Sequence, residues 1–182
     1  MTDVNTMTDD TKLPIAALVP LPDQDADQLL SQFADLLQIR GYRVRGLIQQ
    51  RCPSGSGCKF SLRDLSTGKL YPISQDLGSQ STACVLDTAG IADASVVMRR
   101  IPDEGADLVI FNRFSGLESE GEGFAAEMLD LMILGIPVLT IVQDRHLMAW
   151  REFTGGLACE LPAEGSAIED WFATLVPQAT HC

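Results

Sequence analysis

Short apolar runs alternate along the chain with segments whose apolar residues recur at helical spacing. The runs at 14–20, 107–112 and 137–142 are almost free of polar residues, as is typical of parallel strands that are buried on both faces. Segment 25–39 places its leucines and Phe33 on one stripe, which predicts an amphipathic helix. We expect the three strands to be parallel neighbours in a central sheet, with this helix packed on one face.

The rest of the pattern completes an alternation of strands and helices. It predicts strands at 42–50, 83–86 and 157–161, a hairpin of strands at 59–65 and 69–74, and helices at 88–101, 124–134, 144–153 and 166–176. Pro102 is expected to stop the second helix, and Asp144 to cap the helix that contains Trp150. The fold class is therefore α/β: a mostly parallel central sheet, helices on both faces, and a small β-rich insert.

Composition sets the limits of this picture. A chain of 182 residues is most simply one domain, here 13–177, between a disordered tail at 1–12 and a C-terminal tail at 178–182. The net charge of −12 argues against nucleic acid as a partner. No apolar stretch reaches the roughly 18–20 residues that cross a bilayer, and the acidic N-terminus is unlike a secretory signal. We expect a cytoplasmic protein that is not inserted in a membrane.

The five cysteines form an odd and scattered set, which argues against a disulfide framework and fits a reducing compartment. Cys52 and Cys58 bracket a loop of proline, serine and glycine, but no second ligand pair accompanies them, so no metal site is predicted. Incidental thiols are the favoured interpretation, and a reversible disulfide stays open.

The turn after the first strand lacks every residue of a phosphate-binding loop. Such a loop would read G-x-x-x-x-G-K-[ST], whereas residues 21–27 contain no glycine, lysine, serine or threonine. Asp23, Asp25 and Asp27 stand there instead, and their charges oppose the attraction of a helix N-terminus for phosphate. Helix capping and first-turn placement explain these aspartates better than a calcium loop, since the glycine and glutamate of that loop are missing.

The order of elements, with Asn112-Arg113-Phe114, Glu118, Gly121 and Gly123-Phe124, resembles the small bacterial and archaeal nucleoside-triphosphatases of the P-loop class. Within that class, residues 13–160 resemble an uncharacterised bacterial family of P-loop-NTPase-like proteins. The resemblance implies a degenerate P-loop NTPase fold and an association with molybdenum uptake and cofactor genes.

The same resemblance implies a loss of catalysis. Active members carry an Asp-Glu pair where this chain has Asn112 and Arg113, while Glu118 matches a later acidic position. The aspartate holds the Mg²⁺ water shell and the glutamate activates the attacking water. Asparagine has no charge and arginine stays protonated, so neither residue takes over these roles.

Two clusters remain as candidate parts of a ligand site. Asn112 and Arg113 can bind an anion at the carboxyl end of a central strand, with Glu118 nearby. A loop dense in small donors, with Gly78, Ser79 and Ser81, can form an anion nest. The alternatives are a salt bridge from Arg113 to Glu118 or Glu120 and an ordinary turn, respectively.

The remaining charged residues give weaker indications of a functional site. Arg43, Arg45 and Arg51 put positive charge around the strand at 42–50, either for a ligand or, as favoured, to offset the aspartates at 23, 25 and 27. His146 is interpreted as structural or exposed, because no serine or cysteine is tied to it.

These observations favour a non-hydrolytic ligand-binding or accessory protein that binds an oxyanion or a phosphorylated small molecule in molybdenum metabolism. We expect no catalytic or metal-ligating residues, and the sequence names no cofactor. One alternative is an enzyme acting on a phosphorylated compound or nucleotide with altered catalytic groups. The other is a regulator that binds a partner protein, and the sequence leaves oligomerisation open.

Overall fold

The computed structural model describes residues 12–75 and 85–176. The strands in these residues are β1 (Ile15–Val19), β2 (Val44–Arg51), β3 (Phe60–Asp64), β4 (Leu70–Pro72), β5 (Ser74–Gln75), β6 (Val85–Leu86), β7 (Leu108–Phe114), β8 (Val138–Val142) and β9 (Cys159–Pro162). The helices are α1 (Ala26–Ile39), α2 (Thr88–Glu104), α3 (Gly116–Ser119), α4 (Ala125–Ile133), α5 (Leu147–Phe153) and α6 (Gly165–Leu175), with a 3₁₀ turn at Asp144–His146.

The central sheet has seven strands in the order β4-β3-β2-β7-β8-β1-β9. Strands β1, β8 and β7 are parallel neighbours, as the three apolar runs predict. The predicted hairpin pairs antiparallel with β2 and extends one edge of this sheet. The mostly parallel α/β architecture is therefore confirmed.

Alternating residues of the buried strands feed two separate apolar layers. On one face, Leu108 and Ile110 of β7 pack with Leu30 and Leu37 of α1 and with α6. On the other face, residues of β7 such as Phe111 pack with α2, α4 and α5. The two-residue period of a strand therefore produces the three layers, and α1 covers one face as expected.

Glycine at position 46 allows β2 and β7 to approach each other. Gly46 has a φ of +114°, and a Cβ there would lie 2.1 Å from the carbonyl oxygen of Ile110. The register pairs these two residues and ends at them. Beyond this point the backbone ladder between the two strands stops, and hydrogen bonds of the Asn112 side chain join them instead.

Two predicted helix boundaries are wrong. Pro102 lies inside α2, which continues to Glu104 and is capped by Gly105, where the φ is +73° and the N–H donates to the Ile101 carbonyl. A proline two residues before the end of the helix interrupts too little of the hydrogen-bond ladder to stop it. The Asp144 side chain makes no capping bond, because Gln143 precedes the 3₁₀ turn and Asp144 lies within it.

The interpretation of Cys52 and Cys58 as incidental thiols is also wrong, since a disulfide joins them with their Cα atoms 5.7 Å apart. Positive φ angles at Gly55 and Gly57 fold the intervening loop back on itself. In the described parts of the chain no helix has the length and apolarity to cross a bilayer.

Candidate functional site

A cavity of about 1050 Å³ opens at the carboxyl ends of the parallel strands. Its wall is formed by the turn after β1 with the start of α1, the ends of β2 and β7, the segment after β8, and part of β3. Open α/β sheets bind their ligands at this edge, because the chain leaves each parallel strand there and the loops diverge. The cavity therefore occupies the edge at which this class of sheet holds its ligands.

Arg113, at the end of β7, forms an ion pair with Asp27 in the first turn of α1. Nη2 of Arg113 donates to Oδ2 of Asp27, and both residues line the cavity. The β7–β8 register is irregular between Phe111 and Arg113, just before this side chain. The predicted alternative of a bridge to Glu118 or Glu120 is wrong, because the turn after β1 brings α1 over the end of β7.

The surroundings of Asp27 act on the pKa of its carboxyl group in opposite directions. Burial, the largest cause, raises the pKa of the Asp27 carboxyl, Arg113 lowers it, and the neighbouring Asp25 raises it. Among the described residues, Oδ1 of Asp27 is buried without a hydrogen-bond partner, while Oδ2 has only Arg113. The net pKa is raised, because one oxygen of the carboxylate has lost its water without gaining a donor.

Two other arginines of the cavity wall make no ion pair in the described parts of the chain. The guanidinium of Arg51 lies 5.6 Å from the ring centre of Phe60. Nε of Arg145 lies 3.2 Å from Nε2 of His146. The wall contains four arginines and four aspartates, namely Arg51, Arg63, Arg113, Arg145, Asp23, Asp25, Asp27 and Asp144. Arg51 and Arg145 are thus available to an anionic ligand without first breaking a salt bridge.

Asn112 links two strands instead of facing the cavity. Its Oδ1 accepts the Gln49 backbone N–H at 2.9 Å, and its Nδ2 donates to the Gln49 side chain at 3.3 Å. These bonds continue the β2–β7 contact where the backbone ladder has ended. The side chain is 8% exposed and does not line the cavity.

Glu118 is used within its own loop. It accepts from the Ser115 N–H at 3.0 Å, the Ser115 hydroxyl at 2.6 Å and the Phe124 N–H at 3.2 Å. A Cβ on Gly123 would lie 2.3 Å from Oε1 of Glu118, so a glycine is needed beside the carboxylate. Glu118 therefore acts as a capping-box residue away from the cavity.

Of the predicted ligand residues, Arg113 lies on the cavity wall, whereas Asn112 and Glu118 do not. Gly78, Ser79 and Ser81 lie outside the described residues. Asp27 and Arg145 line the cavity although the sequence argument gave them no ligand role. Asp27 lies in the first turn of the helix that follows β1, and Arg145 lies shortly after β8. These positions are the signal that would have found them, because both strands end at the same edge.

Arg43 and Arg45 do not offset the aspartates of the turn after β1, so that interpretation is wrong. Arg43 pairs with Asp107 at 3.0 Å, and Arg45 with Glu104 at 3.3 Å. Both arginines stand at the start of β2, and parallel strands begin at the edge opposite to the cavity.

Comparison with known proteins adds a family and a fold. The family model described as "Protein of unknown function (DUF2478)" matches residues 15–171. A Bradyrhizobium diazoefficiens protein named molybdenum import ATP-binding protein ModC 2 is 41% identical over 160 residues, which cover 87% of this chain and 18% of the relative. The chain thus spans about a fifth of that relative's length.

Two solved structures share the architecture. The solution structure of a human cancer-related nucleoside triphosphatase has a TM-score of 0.64 and 14% identity, covering 94% of this chain and all of that one. The crystal structure of THEP1 from the hyperthermophile Aquifex aeolicus has a TM-score of 0.64 and 13% identity, covering 92% and 99%. At these identities the likeness concerns the fold alone.

Proposed function

The chain belongs to the DUF2478 family of proteins of unknown function, and on that premise we propose that it is a non-hydrolytic accessory protein that binds an oxyanion in its carboxyl-edge cavity. The oxyanion is free or part of a phosphorylated small molecule. The proposed setting is molybdenum metabolism, because a relative of 41% identity is named as a molybdenum import protein. Molybdenum is dissolved in water as the oxyanion molybdate, which matches this class of ligand.

The observation that carries the proposal is the position of Arg113 on the cavity wall, at the end of a central strand. A guanidinium presents a planar fork of N–H donors that fits two oxygens of a tetrahedral anion. Only Nη2 of Arg113 is bonded to Asp27, so further donors of the same fork are left for a ligand. Arg51 and Arg145 add positive charge to the same wall.

The proposal excludes ATP or GTP as a hydrolysed substrate. The turn after β1 has carboxylates where a phosphate loop has glycines and a lysine, and Asn112 is bonded to Gln49 instead of holding a metal-bound water. We expect no Mg²⁺-dependent hydrolysis above background in a phosphate-release assay. A turnover of about 1 s⁻¹, in the lower range for enzymes, would contradict this.

The test of anion binding is isothermal titration calorimetry with molybdate, sulfate and phosphate. Arg113→Met should weaken binding about 10-fold or more, since a hydrogen bond to a charged group contributes roughly 1.5–3 kcal/mol. Arg43→Met is the matched control, because it removes an equally charged side chain from the opposite edge. Equal affinities in the wild type and the Arg113 variant would contradict the proposal.

One observation favours an enzyme as the second candidate. Asp27 combines a raised pKa with a place on the cavity wall, which is typical of a general acid. This candidate predicts that a screen of phosphorylated compounds finds turnover in the wild type and none in Asp27→Asn. Binding without turnover of any compound in the screen would favour the accessory protein.

A further inference from the structure

One contact, with Arg113, stabilises the ionised form of the Asp27 carboxyl group. Its Oδ2 atom is bonded to Arg113, and its buried Oδ1 atom has no hydrogen-bond partner among the described residues. Burial and the nearby Asp25 both disfavour the ionised form, so the contact with Arg113 is what opposes protonation. The same guanidinium is the group that an incoming oxyanion would use.

We propose that Asp27 is a proton-linked gate of the anion site: an oxyanion that docks on Arg113 replaces the carboxylate as its partner, and Asp27 then takes up a proton. This inference rests on the proposed anion-binding function and adds the regulation of that site. The ligand class is a fully ionised oxyanion that is bound together with one proton from solution. Release of the anion returns the proton and restores the Arg113–Asp27 ion pair.

The direction of the pH effect follows from linkage. The bound anion removes the influence of Arg113 that lowers the pKa of Asp27 and adds a negative charge beside it, so that pKa is higher in the complex than in the free protein. Binding therefore takes up a proton between the two values, and affinity falls as pH rises through that window. Below the window Asp27 is already neutral, and affinity no longer changes.

Other charged groups on the cavity wall modify this titration. Asp25 on the turn after β1 raises the pKa of Asp27. Asp23 on the same turn and Asp144 after β8 bring the same sign of charge to the wall, and Arg51 and Arg63 of the antiparallel pair β2–β3, with Arg145 after β8, bring the opposite sign. The imidazole of His146 contacts Arg145 and is a further ionisable group beside this wall, so it needs its own control.

The experiment is calorimetric titration of the full chain with sulfate between pH 5.5 and 8. Sulfate stays a dianion over this range, so any proton taken up must be bound by the protein. We expect affinity to fall by up to tenfold per pH unit, which is the limit for one linked proton. Titration in two buffers with different ionisation enthalpies counts that proton directly in the wild type and requires no variant.

Three variants assign the proton. Asp27→Asn should bind sulfate more tightly than the wild type at pH 8, with little pH dependence and no proton uptake. Asp23→Asn removes the same charge from the same wall without touching Arg113, and should keep the pH slope. His146→Gln should also keep it.

The outcomes separate this inference from the proposed function. Sulfate binding that requires Arg113 but shows no proton uptake would overturn the gate and leave the anion site standing. A pH slope that survives in Asp27→Asn would do the same. An absence of sulfate, phosphate and molybdate binding in both the wild type and Asp27→Asn would overturn both proposals.

Discussion

Two arginine–aspartate pairs lie at opposite edges of the same sheet, and the pKa values of their carboxyl groups are shifted in opposite directions. At the cavity, burial raises the pKa of Asp27 despite its contact with Arg113. At the other edge, the hydrogen bonds from Arg43 lower the pKa of Asp107. Both carboxylates are partly exposed, at 25% of the side chain for Asp27 and 34% for Asp107.

The pKa difference lies first in burial, which is the largest cause at Asp27 but is outweighed at Asp107 by the hydrogen bond from Arg43, and then in how many carboxylate oxygens are bonded. Asp107 accepts from the Arg43 backbone N–H at 2.7 Å and from Nη2 at 3.0 Å, so both its oxygens have donors. Asp27 has a donor on one oxygen and a buried, unbonded second oxygen. The Arg43–Asp107 pair therefore holds the starts of β2 and β7 together. In the Arg113–Asp27 pair, by contrast, Arg113 can exchange the carboxylate for another anion.

The largest expected effect comes from a third carboxylate, which is buried and fully bonded. Glu118→Ala leaves the partly buried N–H of Ser115 and the buried N–H of Phe124 without an acceptor, and should lower the free energy of unfolding by about 3 kcal/mol in urea titrations. The exposed Glu120→Ala should cost under about 0.5 kcal/mol. If the two variants were equally stable, bonding of the oxygens would not be what distinguishes these sites.

Replacing the arginine of each ion pair should lower the free energy of unfolding by unequal amounts. At pH 8, Arg113→Met should lower the free energy of unfolding by about 2 kcal/mol, because it leaves the partly buried carboxylate of Asp27 without its donor. Arg43→Met should cost clearly less, because Arg43 is an exposed side chain. The cost at Arg113 should shrink at pH 5.5 and in the double variant Arg113→Met/Asp27→Asn. Urea unfolding checks both, and equal costs for the two arginines would remove the contrast.

The two aspartates should give opposite pH dependences of stability. The raised pKa of Asp27 favours the folded state below about pH 4, and that contribution is lost as pH rises through the raised value. The lowered pKa of Asp107 favours the folded state above about pH 4, and that contribution is lost as pH falls.

Relative to the wild type, Asp27→Asn should therefore gain stability as pH rises from 4 to 8. Asp107→Asn should instead be less stable at pH 7, by about 1 kcal/mol, and approach the wild type below pH 4. Unfolding curves over this range measure both differences. Parallel pH profiles for the two variants would contradict the assignment of opposite shifts.

The smallest expected difference concerns salt. A double-mutant cycle on Arg43 and Asp107 should give a small coupling that approaches zero at 1 M salt, where the screening length is about 3 Å. The coupling of Arg113 with Asp27 should persist, because a partly buried pair is screened less. Loss of both couplings to the same extent would mean that both pairs are surface pairs.

The predicted parts of the fold are those that depend on local patterns. The apolar runs that form β1, β7 and β8 identify buried parallel strands, because a strand covered on both faces needs apolar residues at successive positions. The stripe of α1 and the hairpin of β3 and β4 follow from their periods and from the turn between them. The predictions for Pro102 and Asp144 are wrong, because the effect of either residue depends on its distance from the end of the helix, which the local pattern does not fix.

The sequence by itself determined the α/β architecture, the absence of a phosphate loop after β1 and the choice of Arg113 as a candidate anion-binding residue. Only the tertiary structure decided which carboxylate meets that arginine, because Asp27 and Arg113 are 86 residues apart and meet only through the order of the parallel strands. It also decided that Asn112 and Glu118 bond within the protein, since the acceptors and donors around a side chain depend on packing. Hydrophobic periodicity is a property of neighbours in the chain, whereas charge pairing and burial are properties of neighbours in space.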